Sequence, residues 1–237
     1  VDLRWLRPSR TIVITRWRNE GSRWRTKPAT FLVLLVGLWI FGTGEALLVN
    51  AHLGVSPWTV LAQGLSRRTS ISIGSATLVI SLVVLLAWIP LRERLGMGTV
   101  ANTIVIAFAL QVMIGVVPVP TNFGYQVLEV LIGIASIGLA SGLYLTTNLG
   151  PGPRDGMMTG LHQRTGASVG RIRLVLEVAV LTIGWALGGT VGLGTLLSAT
   201  LIGAAVGYGL RLCGWLGRTA NPAEPAVEPV WRPELEA

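Results

Sequence analysis

Charge is scarce in this sequence. Only 13% of its 237 residues are Asp, Glu, Lys or Arg, and the mean hydropathy is +0.63. Soluble domains carry about a quarter of their residues as charges, so a soluble globular protein is excluded. Cysteine is nearly absent as well: the single Cys213 rules out an intrachain disulfide and reads as a small apolar packing residue. Lys27 is the only lysine among 19 basic residues, a codon bias expected of a GC-rich bacterium. With no methionine before Met97, Val1 reads as the product of a GTG start codon. His52 and His162 have no metal-ligand spacing. No Walker loop, dinucleotide fingerprint, zinc motif, Gly-x-Ser-x-Gly elbow or pair of catalytic carboxylates occurs. No metal, cofactor or enzymatic activity is therefore expected.

What the chain has instead is long apolar runs. Uncharged or nearly uncharged stretches near residues 31–49, 73–91, 99–118, 126–147, 173–190 and 195–216 each approach the roughly 20 residues a helix needs to cross a bilayer. They predict an all-α polytopic membrane protein with six transmembrane helices. The formal charge of +8 sits at the ends of spans rather than on a soluble surface, so nucleic acid is not the expected partner. Residues 1–28 hold Arg4, Arg7, Arg10, Arg16, Arg18, Arg23, Arg25 and Lys27 against Asp2 and Glu20. This is a basic arm expected in the cytoplasm, where Trp5, Trp17 and Trp24 would let it rest on anionic headgroups. Residues 218–237, rich in Pro, Ala and Glu, read as a disordered cytoplasmic tail. The membrane domain is expected over 29–217, with both termini inside.

The membrane domain repeats. Leu53, Gly54, Pro57, Gly64, Leu65, Arg68, Thr69, Ser72 and Gly74 recur 96 positions on as Leu149, Gly150, Pro153, Gly160, Leu161, Arg164, Thr165, Ser168 and Gly170. The same displacement relates Gly42 to Gly138 and Thr99 to Thr195. The copies occupy about 31–118 and 126–217. Three spans per copy would place the second upside down relative to the first, as in many secondary transporters whose sites lie at the repeat interface. It would also explain why Arg67 and Arg68 fall on the outer side, against the positive-inside pattern.

Each copy also contains a break. Pro57 and Pro153 follow glycine-containing turns and suit the first turn of a helix. Short re-entrant half-helices are predicted over about 57–66 and 153–163, offering free N–H groups and partial positive charge to an anion. Arg154 stands where the first copy has Trp58, and Asp155 where it has Thr59. Pro57, Trp58, Thr59, Pro153, Arg154 and Asp155 are the candidate binding residues. Glu45 joins them, as an intramembrane carboxyl bound to a half-helix or carrying a proton. Glu177 is expected to pair with Arg173 one turn away, and Glu129 to lie at the water boundary. Asn50, His52, Asn102, Gln111 and Thr146 suit interhelical hydrogen bonds. Gly54, Gly64, Gly74, Gly150, Gly160 and Gly170 are read as structural, and Gly42/Ala46, Gly138/Gly142 and Gly203/Gly207 as packing seams.

The segments LGVSPWTVLAQGLS, LGPGPRDGMMTGL, ASVGRIRLVLE and GWALGGTVGLGT resemble the YczE branch of the YczE/YyaS/YitT group of bacterial integral membrane proteins, over about residues 35–215. The resemblance implies a multi-span protein of the bacterial cytoplasmic membrane and leaves its activity open. From the residues, the expected function is transport or export of a small anionic or amphiphilic solute. The alternative is a non-transporting scaffold or accessory protein of a biosynthetic or envelope system.

Overall fold

The computed structural model describes residues 11–217 and 227–229. Among the described residues eight helices carry the fold: α1 (Pro28–Asn50), α2 (Pro57–Thr69), α3 (Ile73–Leu91), α4 (Met97–Val116), α5 (Phe123–Thr146), α6 (Pro153–Thr165), α7 (Val169–Ala186) and α8 (Leu193–Leu216). A short antiparallel pair, β1 (Thr11–Val13) and β2 (Val227–Pro229), joins residues near the two ends of the chain. The rest of the tail expected to be disordered lies outside the described residues.

Five helices, α1, α3, α4, α5 and α8, are long and apolar enough to cross a membrane. The span expected over 173–190 corresponds to α7, which begins earlier and takes in Arg171, Arg173 and Glu177. That is more charge than a span of this kind carries. Leu86 at 63%, Val175 at 66% and Trp185 at 68% exposure turn apolar surface outward, an arrangement that lipid satisfies and water does not. The buried core, around Leu48, Val60, Leu110 and Ile137, joins both halves of the sequence.

The 96-residue displacement extends from sequence to structure. α2, α3 and α4 begin at 57, 73 and 97; α6, α7 and α8 begin at 153, 169 and 193. The left-handed backbone positions fall into pairs at the same spacing: His52 with Asn148, Gly54 with Gly150, Ser70 with Gly166 and Arg92 with Gly188. Contacts between the copies are reciprocal. The Gly98 N–H donates to Leu149 O at 2.8 Å, and the Gly194 N–H to Leu53 O at 2.7 Å. Each copy's turn before its short helix thus rests on the start of the other copy's last helix. Reciprocity of this kind is what a two-fold relation produces.

Glycines set the close approaches. A Cβ at Gly42 would meet Ala109, and one at Gly138 or Gly142 would meet the backbone of Ala205 or Gly209. On α8 the residues against α5 are Ala205 and Gly209; of the expected Gly203/Gly207 pair, Gly203 faces open space and Gly207 is buried. Gly37 lies against Leu143, Gly44 against Ile137 and Gly133 against Leu48, so α1 and α5 run antiparallel. Gly54, Gly64, Gly74, Gly150 and Gly160 are crowded by neighbouring atoms, whereas Gly170 has nothing within 4 Å.

The basic arm does more than follow the surface. Trp17 Nε1 donates to Thr146 Oγ1 at 3.0 Å, the Asn19 N–H to Thr147 O at 3.0 Å, and the Arg16 N–H to Gly217 O at 2.9 Å. Asn148 Nδ2 in turn donates to Asn19 O at 3.0 Å. Residues 15–19 thereby tie the C-terminal end of α5 to that of α8. Trp24 is half exposed, and Trp5 lies outside the described residues.

Candidate functional site at the meeting of two short helices

Proline at the first position gives α2 and α6 their starts, because it has no N–H to leave unpaired there. The first intrahelical bonds are donated by Val60 to Ser56 O and by Gly156 to Gly152 O. The N–H groups of Trp58, Thr59, Arg154 and Asp155 therefore have no partner within their helices. The two starts meet: the Arg154 guanidinium lies over the Trp58 ring, 4.8 Å from its centroid. These residues are 96 positions apart. A residue that touches its own counterpart in the other copy is what a two-fold relation between the copies would produce.

A cavity of about 190 Å³ opens at this point. Its lining contains residues 96 positions apart in pairs: Glu45 with Ser141, Pro57 with Pro153, Thr77 with Arg173, Ser81 with Glu177 and Asn102 with Ser198. Six of the seven binding residues expected from sequence line it: Glu45, Pro57, Trp58, Pro153, Arg154 and Asp155. Thr59 stands behind, holding Glu45.

The walls differ in chemistry. Glu45, on α1, is buried and accepts hydrogen bonds from Ser56 Oγ at 2.9 and 3.0 Å and from Thr59 Oγ1 at 2.7 Å. Ser56 occupies the N-cap position of α2, yet its hydroxyl makes no cap bond and serves the carboxylate instead. In the second copy the roles are exchanged. Asp155 belongs to the short helix, and Oδ2 accepts from Tyr144 Oη on α5 at 2.7 Å. Each copy thus joins its first long helix to its short helix by a carboxylate–hydroxyl contact, with the carboxylate on opposite partners.

Other groups hold the α6 start in place. Trp88 Nε1 donates to Pro153 O at 3.0 Å, and Thr99 Oγ1 to Pro151 O at 2.8 Å. On α7, Arg173 Nε donates to Glu177 Oε1 at 2.8 Å, forming an i,i+4 ion pair. Arg154 is different. Among the described residues no acceptor lies within hydrogen-bonding distance of its guanidinium, whose neighbouring charges are Glu45, Asp155 and Glu177.

Tyr144, Trp88 and Ser141 were not among the residues singled out from sequence; each lies in an apolar stretch whose faces the sequence does not distinguish. Outside the site, Asn50 Nδ2 donates to Ile114 O and Val117 O, and Gln111 Oε1 accepts from the Gly74 N–H, joining helices as expected. Glu129, in the second turn of α5, is buried by its neighbours, and its Oε2 has no partner among the described residues. In the loop after α3, burial of Glu93 pushes its carboxyl above the usual range, with Arg23 partly opposing.

Comparison with known proteins gives a family and several relatives. Residues 28–210 match the model of a family of unknown function, DUF6198. An uncharacterized protein of Haemophilus influenzae is 43% identical over 203 residues, 86% of this chain and 93% of its own length. The uncharacterized membrane protein YczE of Bacillus subtilis is 27% identical over 189 residues, 79% of this chain and 85% of its own. The uncharacterized protein YyaS of the same organism is 25% identical over 174 residues, 71% and 86% of the two chains. No solved structure matches.

Proposed function

The chain belongs to the DUF6198 family, with YczE-type membrane proteins as its relatives, and from that premise we propose that it is a carrier. It moves a small solute that presents an anionic group to Arg154. The observation behind this is the Arg154 guanidinium, without a hydrogen-bond acceptor among the described residues, in a cavity between two short-helix N-termini. A half-buried cation with five donors and no such acceptor is costly, and a bound anion supplies what it lacks.

The carrier is built as two inverted three-span repeats, with α2 and α6 as re-entrant half-helices and α7 as the sixth span. Support comes from the 96-residue spacing of the helix starts, the reciprocal contacts and the antiparallel run of α1 against α5. A helix as charged as α7 is tolerable within a membrane where its ion pair faces a polar cavity rather than lipid. Rocking of one repeat against the other about such a site would expose it to each side in turn. Both termini lie in the cytoplasm of a bacterial cell, with the basic arm near anionic headgroups. The accessory-factor alternative places its docking surface on that arm, but Arg16, Trp17 and Asn19 spend polar groups on the chain itself.

The test is uptake of radiolabelled small carboxylates into vesicles reconstituted with the full chain. Arg154→Ala is expected to abolish uptake while the protein remains folded by circular dichroism. Unchanged uptake by this variant would overturn the role given to Arg154.

A further inference from the structure

Charge accounting narrows the solute. Glu45, Asp155 and Glu177 face or flank the cavity together with Arg154 and Arg173. Counted by formal charge, these are three carboxylates against two guanidinium groups, one negative charge in excess. A simple anion bound at Arg154 would deepen that excess in a region of low dielectric, where like charges are costly. A solute carrying a positive group as well leaves the balance unchanged.

The acceptors for that group are present. Asp155 uses Oδ2 for Tyr144, and Glu177 uses Oε1 for Arg173. Among the described residues, the second oxygen of each has no hydrogen-bond donor. Ser141 spends its hydroxyl proton on Ile137 O, so its oxygen too can accept. Arg154 offers the matching donors, and its planar fork suits a carboxylate. The face of Trp58 is already covered by Arg154, which disfavours a quaternary ammonium seated on that ring and favours a primary ammonium that needs acceptors. The remaining wall, with Phe41, Ile106, Ile137 and Ile202, is apolar.

We infer that the cavity binds a small zwitterion of the α-amino-acid type, its carboxylate on Arg154, its ammonium at Asp155 and Glu177, and its side chain apolar. This rests on the carrier reading of the same site and commits it to a substrate class.

Three probes of one skeleton test it on the unaltered full chain in detergent, by calorimetric titration. L-leucine carries both charged groups, 4-methylpentanoate lacks the ammonium, and isoamylamine lacks the carboxylate. L-leucine is expected to bind at least tenfold more tightly than either of the others, since a site built for a charged group leaves its own partners unpaired when that group is missing. In the Arg154→Ala chain, L-leucine is expected to fall to the affinity of isoamylamine. Equal binding of L-leucine and 4-methylpentanoate would overturn the zwitterion and leave the anion site standing. Binding by none of the three would overturn the zwitterion, and the vesicle assay with carboxylates would then decide the anion site separately. Loss of L-leucine binding in Asp155→Asn, with the tyrosine contact kept by the amide oxygen, provides a second expected result; unchanged affinity there would count against the ammonium subsite.

Discussion

Gly54 and Gly170 both recur in the repeat, yet alanine at the two positions should have opposite effects. Gly54 has φ +99°, and a Cβ there would lie 2.5 Å from Gly192 N and 2.7 Å from Thr195 Oγ1. Left-handed backbone costs an L-residue roughly 1–2 kcal/mol, and overpacking against a fixed backbone adds about 1–3 kcal/mol. A loss of roughly 2–5 kcal/mol is expected. For a chain of this size that is about 4–20 °C in melting temperature, taking 2–4 °C per kcal/mol. Gly170 lies inside α7 with nothing within 4 Å, so alanine there should gain about 0.5–1 kcal/mol from helix propensity. The assay is thermal unfolding of the purified protein in detergent, followed by tryptophan fluorescence. An unchanged melting temperature for Gly54→Ala would refute the packing of the Leu53–Gly54 turn on the start of α8. A loss at Gly170 as large as that at Gly54 would refute the distinction between them.

Two other substitutions probe one side chain of the cavity and one outside it. Tyr144→Phe removes the hydroxyl that Asp155 accepts; a loss of about 1.5–3 kcal/mol is expected for a hydrogen bond to a charged group, and a melting temperature within error of the original would contradict it. Glu93 has its carboxyl raised by burial, with one oxygen lacking a hydrogen-bond partner among the described residues. A raised acid favours the fold while protonated, so its contribution is complete below the unfolded value near 4.5 and is lost as pH rises through the folded one. Glu93→Gln should remove that loss, melting higher than the original at pH 7 and not at pH 4; the reverse order would disprove the assignment.

Much of the site was legible because the repeat aligns it. Proline at 57 and 153 marks both short-helix starts, and the observed helices begin there and run two or three residues past the expected ends. Glu45 stood out as a carboxyl in an apolar run, and its partners prove to be hydroxyls at the start of α2. Tyr144 and Trp88 did not stand out. Long apolar helices offer little contrast between faces, so sequence alone does not say which aromatic turns inward. Pairing within the lining was equally hidden: Thr77 and Ser81 are unremarkable until the fold brings them to the same cavity as their counterparts Arg173 and Glu177.

Whether the copies are inverted can be measured directly. Thr69 and Thr165 are equivalent, exposed residues at the last turns of α2 and α6. Cysteine at each, in a chain whose buried Cys213 is replaced by alanine, can be treated in intact cells with a membrane-impermeant maleimide. Labelling of Thr69→Cys in intact cells, with Thr165→Cys labelled only after permeabilisation, is the result expected of inverted repeats around a shared site. Labelling of both from the same side would contradict inversion and remove the basis for alternating access.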